Sequence, residues 1–231
     1  MKAVILAAGR GSRLGALTNS IPKSLLPVAG KPLIHYTLDL CRDFEEVLVV
    51  GGYAFPKLEA DLAGRPVRLL CNRDFRMGSI TSLVKAVPYL AEDFLLANAD
   101  HIYPRSLFEK FVQDGPGLRA ACDFDRRLIH DDMKIRCDPG GRISTIRKDL
   151  LSFDGGYIGM TFCPAPFLKT YLRAVQATLV GRGPGASVEE VLQTLADWGE
   201  YPLVSDLSGF GWWEVDTPEE LRRADRELGE K

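Results

Sequence analysis

The 231-residue sequence lacks the features that mark several classes of protein. Its 29 Lys and Arg are balanced by 31 Asp and Glu, so the net charge of −2 offers no basic excess for binding nucleic acid through its phosphates. No apolar run approaches the roughly 18 residues that cross a bilayer, and the run at 3–8 is too short for a signal sequence. We therefore expect a cytoplasmic protein with no membrane span and no nucleic-acid partner.

Metal-binding and disulfide-forming residues are few and scattered. The five cysteines are odd in number, lie far apart and never form a CxxC pair, which argues against a disulfide framework or a thiolate zinc site. The three histidines show no HExxH spacing. We expect the cysteines to be small buried residues in a reducing cytoplasm.

Short apolar runs alternate with helical patterns over the first half of the chain. Residues 3–6 and 47–50 are apolar runs followed by glycine, as is typical of buried strands, and 32–41 between them has the apolar spacing of a helix. This alternation predicts an α/β fold with a mostly parallel central sheet and helices on both faces. Further strands are predicted at 67–71, 94–97 and 118–123, and further helices at 79–90 and 104–112.

After about residue 123 the pattern changes to short strands beside turn residues. Ser187 with Glu190 has the spacing of a capping box, and Thr217 with Glu220 repeats it. No linker or repeat divides the chain, so we predict one domain, 1–231, whose second part is a small β-rich lobe. Its strands are predicted at 133–137, 142–147 and 157–162, and its helices at 165–179, 187–198 and from 217 onward.

Residues 6–15 (LAAGRGSRLG) form a glycine-rich loop directly after the first strand. Glycines at such a turn let backbone N–H groups approach a phosphate. The loop nearly matches the dinucleotide fingerprint G-x-G-x-x-G, but Leu14 stands at its last glycine and no acidic residue follows the second strand to bind a ribose. An NAD-dependent oxidoreductase is therefore disfavoured, and a plain structural turn stays open.

Residues 21–34 (IPKSLLPVAGKPLI) follow closely, and the two motifs together resemble the signature of the sugar-phosphate nucleotidyltransferase superfamily. The resemblance extends over the whole chain. It implies a Rossmann-like nucleotidyltransferase fold in which about 1–122 binds the nucleotide and about 123–231 binds the acceptor. It also implies transfer of a nucleotidyl group to a phosphorylated acceptor, with Mg²⁺ and release of pyrophosphate.

The resemblance assigns roles to residues of both motifs. Arg13 can pair with two phosphate oxygens, and Lys23 is a compact charge suited to the α-phosphate in the transition state. These two are the expected catalytic residues. The loop residues expected to bind the nucleotide are Leu6, Ala7, Ala8, Gly9, Gly11 and Ser12.

Two acids are the expected metal ligands. Asp100 lies at the end of the strand predicted at 94–97, in the run 95–100, and Asp216 ends a predicted late strand in 212–216. Members of the superfamily carry metal-binding aspartates at both places, and Mg²⁺ is commonly held by one or two carboxylates with phosphates and water. A helix cap is the alternative role, above all for Asp216 before Thr217-Pro218.

Residues 72–83 (NRDFRMGSITSL) lie where the superfamily carries part of its base pocket. The segment resembles that of cytidylyltransferases rather than the glutamine-led segment of uridylyl and thymidylyl enzymes. We therefore expect CTP as the nucleotide, bound by Gly78, Ser79 and Ser82, whose small hydroxyls can read the edge of the base. A plain helix N-cap at Ser79 is compatible with this role.

The expected acceptor is a phosphorylated alcohol. Matches at 100–103, 148–150 and 213–218 resemble CTP:inositol-1-phosphate cytidylyltransferases, which makes inositol 1-phosphate the first candidate. Lys134 and Lys148 are expected to bind the acceptor phosphate. Tyr157 stands where those enzymes are expected to carry an acid, so the related phosphocholine and phosphonate cytidylyltransferases are the runner-up. In that case the acceptor-binding Tyr157, with the neighbouring tryptophans, would face a quaternary ammonium.

A non-catalytic role for the chain and a structural role for the charged stretch 123–132 are the remaining interpretations. A catalytically silent paralogue that only binds nucleotide is the alternative to an enzyme, and the presence of Arg13, Lys23 and both acids argues against it. The charged stretch 123–132 contains His130, Asp131 and Asp132, but its composition favours a solvated loop.

Overall fold

The computed structural model describes residues 1–230 and is organised around one large mixed sheet. The strands, β1 to β13 in chain order, are Lys2–Ala7, Pro27–Val28, Lys31–Pro32, Glu46–Gly51, Arg68–Cys71, Phe94–Asn98, His101–Ile102, Arg119–Asp123, Lys134–Cys137, Ile143–Arg147, Gly155–Cys163, Leu203–Asp206 and Trp213–Glu214. The helices, α1 to α7, are Leu33–Leu40, Phe55–Asp61, Ile80–Ala86, Arg105–Gln113, Ala165–Arg182, Glu189–Asp197 and Pro218–Gly229.

The predicted parallel core is present and forms one side of the sheet, ending at the edge strand β5. Strands β5, β4, β1 and β6 lie side by side and parallel. Strand β11 then pairs antiparallel with β6, β8 and β9, and β10 continues antiparallel beyond β9. Strands β8 to β12 of the second half therefore extend the same sheet as the parallel core.

Helices cover both faces of this sheet. Strand β1 is apolar on both sides and contributes to both of the cores that result. Val4 and Leu6 face a core completed by α3, α5 and α6. Ala3 and Ile5 face the opposite core, to which α1, α2 and α4 contribute. A strand buried on both faces has no polar alternation, which is why it reads as a continuous apolar run. Within residues 1–230, none of the helices is both long enough and apolar enough to cross a bilayer.

Several predicted element boundaries were wrong. The helix predicted at 79–90 ends at Ala86, and Val87–Tyr89 continues only as a 3₁₀ turn, because Pro88 has no N–H for an α-helical hydrogen bond. Helix α5 runs on to Arg182. Helix α2 and strand β12 were not predicted, since neither has a strong apolar period.

The predicted capping boxes differ in outcome. The box at Thr217 is complete, with Thr217 Oγ1 accepting from the Glu220 N–H and Glu220 accepting from the Thr217 N–H. At Ser187 only half forms, because Glu190 accepts from the Ser187 N–H at 2.7 Å while the Ser187 hydroxyl has no partner among residues 1–230.

The cysteines are all free, as predicted, but their burial is mixed. Cys41, Cys122 and Cys163 are buried. Cys71 is exposed and Cys137 is half-buried, so the expectation of uniform burial was wrong. Both are the last residues of their strands, β5 and β9.

The carboxyl end of the parallel strands is where the chain's polar motifs meet. Strands β1 and β6 are neighbours, with Leu6 opposite Asn98, so the loops that follow them lie side by side. Two-residue strands β7 and β13 then pair antiparallel, with His101 opposite Glu214. This pairing brings the segment after β13 back to the loop after β6.

The loop after α5 closes one side of the same edge by docking on Gly78. The Gly78 N–H donates to Pro184 O at 2.8 Å, and the Val188 N–H donates to Ser79 Oγ at 2.9 Å. A Cβ on Gly78 would lie 1.9 Å from the Ala186 carbonyl oxygen. Only glycine permits this approach of two backbones.

We predict that Gly78→Ala destabilises the fold by about 1–3 kcal/mol, because the added methyl group must push the docked loop away. The free energy of unfolding from urea denaturation measures this. Gly181→Ala is the matched control, since a Cβ there meets nothing within 4 Å and the position is helical. That variant should be neutral or slightly more stable. A Gly78→Ala protein with the wild-type unfolding midpoint would contradict the docking argument.

Candidate active site

Lys23 joins two carboxylates that are far apart in the chain. Its Nζ donates to Asp100 Oδ2 at 2.7 Å and to Asp216 Oδ1, and the residue is only 7% exposed. Lys23 begins a 3₁₀ turn after Pro22, Asp100 follows β6, and Asp216 precedes the cap of α7. The structure therefore brings together a catalytic and both metal-binding residues predicted from the sequence.

The charges in this cluster stabilise one another. Burial acts to lower the pKa of Lys23, but the carboxylates of Asp100 and Asp216 outweigh it and the net pKa is raised. Burial likewise acts to raise the pKa of Asp100, but Lys23 and His101 hold it well below the usual range. Lys23 is therefore a cation and Asp100 an anion throughout the neutral range.

Arg13 approaches the cluster from the solvent side. One guanidinium nitrogen donates to Asp131 Oδ2 at 3.0 Å and the other to Asp216 Oδ2. The side chain is 47% exposed, so it can exchange these partners for another anion. The charged stretch 123–132 is therefore tied to the site through Asp131 and is more than a solvated loop.

Asp216 does not cap helix α7. The cap is Thr217, and the Asp216 N–H itself donates to Glu220 Oε2 at 2.8 Å. The Asp216 carboxylate is consequently free of the helix and directed to Lys23 and Arg13. The cap alternative for Asp216 was wrong.

The glycine-rich loop packs directly against Lys23. Gly11 has a φ of +73°, and a Cβ there would lie 2.8 Å from the Lys23 Cβ, so glycine is required on both counts. A small cavity of about 40 Å³ remains between the loop and Lys23. The Ser24 hydroxyl is buried without a partner among residues 1–230, and Ser24 lines this cavity. An oxygen-rich ligand would satisfy it.

A larger cavity of about 210 Å³ continues from the loop toward α3. It shares Leu6, Gly9 and Asp100 with the small cavity, so the two are contiguous. Of the predicted nucleotide-binding residues, Gly11 and Ser12 line neither cavity; Ser12 is exposed at the start of a 3₁₀ helix. The predicted residues that line one or both are Leu6, Ala7, Ala8, Gly9, Gly78, Ser79 and Ser82.

A third cavity, of about 230 Å³, adjoins the second at Ser79 and Asn98. Lys148 and Tyr157 line it, as does the unpartnered Ser187. Its acidic lining was not predicted as part of a site, because the acids come from separate loops and strands and share no motif. These acids are Asp131, Asp132, Glu189 and Glu214.

Lys134 does not face this third cavity. Its Nζ donates to the carbonyl oxygens of Ile129, His130, Asp132 and Lys148 at 2.8 to 3.3 Å, and the residue is 6% exposed. An ammonium surrounded by four carbonyl groups has little left for a substrate. The contacts argue against the predicted acceptor-binding role and fit one of holding the 129–132 loop beside Lys148.

Tyr157 is mostly buried in the core. Its hydroxyl lies 3.0 Å from Thr161 Oγ1, and burial raises its pKa well above the usual value. Trp212 stacks on His101 with ring centres 5.4 Å apart, and the Arg126 guanidinium lies 4.1 Å from the Trp212 ring centre. Trp213 instead donates to Glu227 at 2.7 Å beneath α7. These contacts do not form the aromatic cage that the runner-up acceptor would need.

His101 and Glu214 connect the third cavity to the Lys23 cluster. His101 Nδ1 lies 2.7 Å from Asp100 Oδ1, and its Nε2 lies 4.0 Å from Glu214 Oε1. Burial raises the pKa of Glu214 to about 7; His101 opposes this rise, while Asp100 and Asp216 add to it. Sequence reasoning missed both residues, although their places beside the two aspartates were a usable indication.

The carboxylate oxygens around Lys23 are suitable ligands for a hard divalent cation. Asp100 and Asp216 direct carboxylate oxygens at one point, and Mg²⁺ is commonly held by one or two carboxylates plus phosphate and water oxygens. Within residues 1–230, no group of three or more His, Cys, Asp or Glu side chains forms a complete metal site. The two carboxylates therefore fit a metal that arrives with, or is completed by, a bound triphosphate.

The amino-acid sequence is similar to those of named enzymes over nearly the whole chain. A bifunctional IPC transferase and DIPP synthase from Rubrobacter xylanophilus is 32% identical over 95% of this chain. A CMP-5'-(3-aminopropyl)phosphonate synthase from Streptomyces rubellomurinus is 28% identical over 97% of this chain. The alignments cover 50% and 38% of these two relatives, so the chain spans about half the length of the curated relatives it matches, or less.

Solved structures confirm the fold. An inositol-1-phosphate CTP transferase from T. maritima superposes with a TM-score of 0.83 at 23% identity, covering 100% of this chain and 95% of that one. A CTP:phosphocholine cytidylyltransferase from Streptococcus pneumoniae gives 0.80 at 22% identity, covering 98% of each chain. The family model for the MobA-like NTP transferase domain matches residues 3–129, which confirms the nucleotidyltransferase resemblance of the two motifs. The chain therefore belongs to the MobA-like NTP transferase family.

Proposed function

We propose that this chain is a Mg²⁺-dependent cytidylyltransferase that converts CTP and a phosphorylated alcohol into a CDP-alcohol and pyrophosphate. The observation that carries the proposal is the position of Lys23 with Asp100 and Asp216, beside the glycine-rich loop and next to the second cavity. The named relatives that use CTP or form CMP conjugates support the choice of nucleotide.

The reaction requires several anions to converge. An acceptor phosphate oxygen attacks the α-phosphorus of CTP, the bond from that phosphorus to the bridging oxygen breaks, and pyrophosphate leaves with that oxygen. Lys23 would stabilise the charge on the α-phosphate oxygens, and Arg13 would bind phosphate oxygens from the solvent side. Asp100 and Asp216 would hold Mg²⁺, which would supply further positive charge beside the triphosphate.

The third cavity is the proposed acceptor site. Its four carboxylates favour a headgroup with many hydrogen-bond donors, and Lys148 is the exposed cation at its wall that suits the acceptor phosphate. Inositol 1-phosphate meets both conditions and remains our first acceptor. A quaternary ammonium has no N–H to donate, and Arg126 already places a cation against Trp212.

A phosphonate that carries a protonated amine is the second candidate. The same carboxylates, Asp131, Asp132, Glu189 and Glu214, would neutralise an ammonium group and accept its hydrogen bonds. The named Streptomyces relative supports this alternative. The acceptor panel described below distinguishes the two.

Lys23→Ala is predicted to lower kcat by about 10²–10³-fold, or roughly 3–4 kcal/mol of transition-state stabilisation. The rate of pyrophosphate release measures this. Lys31→Ala is the control, because Lys31 pairs with Asp39 on the surface of the same segment. That variant should keep the wild-type rate, and a Lys23→Ala enzyme with unchanged turnover would contradict the assigned role.

Asp100→Asn and Asp216→Asn are each predicted to raise the Mg²⁺ concentration needed for half-maximal activity by about tenfold or more, because an amide is a poorer ligand for a hard cation. Thr217→Val separates this from capping: it should lower Tm through loss of the α7 cap without changing the Mg²⁺ requirement. Equal Mg²⁺ curves for Asp216→Asn and wild type would exclude the metal role.

The two predicted acceptor lysines should now behave differently. Lys148→Ala is expected to lower kcat/KM for the acceptor. The loss of one charged contact should remove about 1.5–3 kcal/mol of transition-state stabilisation. Lys134→Ala is expected chiefly to lower Tm, because it leaves four carbonyl groups without their donor.

The acceptor itself is tested by a panel with CTP and Mg²⁺. We expect inositol 1-phosphate to give a kcat/KM at least about tenfold above that of phosphocholine, a difference of about 1.4 kcal/mol. Highest turnover with an aminoalkyl phosphonate would favour the second candidate. Preference for phosphocholine would show that the carboxylate argument is wrong.

A further inference from the structure

A buried amide, Asn72, lies behind the second cavity and contacts two hydroxyl groups. It is fully buried, and its Nδ2 donates to Thr81 Oγ1 at 3.0 Å and to Ser82 Oγ at 2.9 Å. Its Oδ1 accepts from the Asp74 N–H at 2.9 Å. Both the nitrogen and the oxygen of the amide therefore have hydrogen-bond partners.

The orientation of the amide is determined by its neighbours. The Asp74 N–H can only donate, so it requires the amide oxygen on its side. Thr81 Oγ1 donates its proton to the Gly78 carbonyl oxygen at 2.9 Å, so toward Asn72 it can only accept. Both contacts place the Asn72 NH₂ toward the hydroxyls.

Ser82 is consequently left with a proton that no protein atom uses. Its oxygen accepts from Asn72, and within residues 1–230 nothing accepts its O–H. The residue is 4% exposed and lines the second cavity. An unused donor at the wall of a cavity is available to a ligand.

Ser82 lies in the part of the second cavity that is away from Lys23, where the base of a nucleotide would bind. The phosphate end is marked by Leu6, Gly9 and Asp100, which the cavity shares with the small one beside Lys23. Ser82 lines only the larger cavity. A nucleotide with its phosphates at Lys23 would therefore extend its base toward Ser82.

We propose that Asn72 is a positioning residue for nucleotide selectivity: by donating to the Ser82 oxygen, it keeps the Ser82 proton from being used by residue 72 and leaves that proton for the base. The proposal rests on the proposed use of CTP. Cytosine N3 is an acceptor and would receive the Ser82 proton, whereas uracil carries an N–H at that atom and would leave the buried Ser82 proton without an acceptor. The loss of one buried hydrogen bond amounts to a difference of about tenfold in affinity.

The test is equilibrium binding of CTP and of UTP by calorimetry, with Mg²⁺ present, to wild type and three variants. Asn72→Asp keeps the acceptor for the Asp74 N–H but replaces the NH₂ by a carboxylate oxygen. Ser82 would then donate to residue 72 and present lone pairs to the cavity. Ser82→Ala removes the donor. Thr81→Val is the control, because it removes the other contact of the Asn72 NH₂ and leaves Ser82 in place.

We expect wild type to prefer CTP by at least about tenfold, and both Asn72→Asp and Ser82→Ala to reduce that ratio by about tenfold. Thr81→Val should lower Tm and keep the ratio within about twofold. If Asn72→Asp does not fold, the ratio of CTP to UTP affinity in Ser82→Ala decides the test. A ratio retained in Ser82→Ala, or lost in Thr81→Val, would overturn the inference. Equal affinity of wild type for CTP and UTP would instead refute the choice of CTP in the proposed function.

Discussion

The contact of one buried ammonium with two carboxylates is the constraint on which the site depends. Lys23 binds Asp100 and Asp216, and each of the three comes from a different part of the chain. Removing the Lys23 ammonium from water is unfavourable unless it is paired, so the two carboxylates stabilise its buried position. In the proposed function, a triphosphate with its metal would replace these mutual contacts with contacts of its own.

The backbone that supports this cluster is held by a very small sheet. Strands β7 and β13 contribute two residues each, yet their pairing and the Val215 N–H to Asp100 O bond of 3.0 Å place the segments of both aspartates together. Helix α7 is anchored just beyond by the Thr217 capping box. A short strand pair with a capped helix can therefore position catalytic groups that the large sheet alone would leave apart.

The adjoining second and third cavities differ in the chemical groups that line them. The second cavity, the proposed nucleotide side, is lined by glycines such as Gly9 and Gly78 and by the hydroxyl of Ser82. The third cavity, the proposed acceptor side, is lined by carboxylates such as Glu189 and Glu214, which come from a helix start and a strand.

Local patterns in the sequence predicted the parallel core and the glycine-rich loop, because apolar period and glycine spacing are properties of neighbouring residues. The resemblance to the nucleotidyltransferase superfamily then singled out Lys23, Asp100 and Asp216. Contacts between distant segments were not accessible in that way. Lys134 and Lys148 look alike in the sequence, but only the first meets four carbonyl groups. Tyr157 lines the third cavity, but its hydroxyl bonds to Thr161 in the core. Tertiary structure decided these roles, since the partner atoms and the burial of each side chain are set by how distant segments pack.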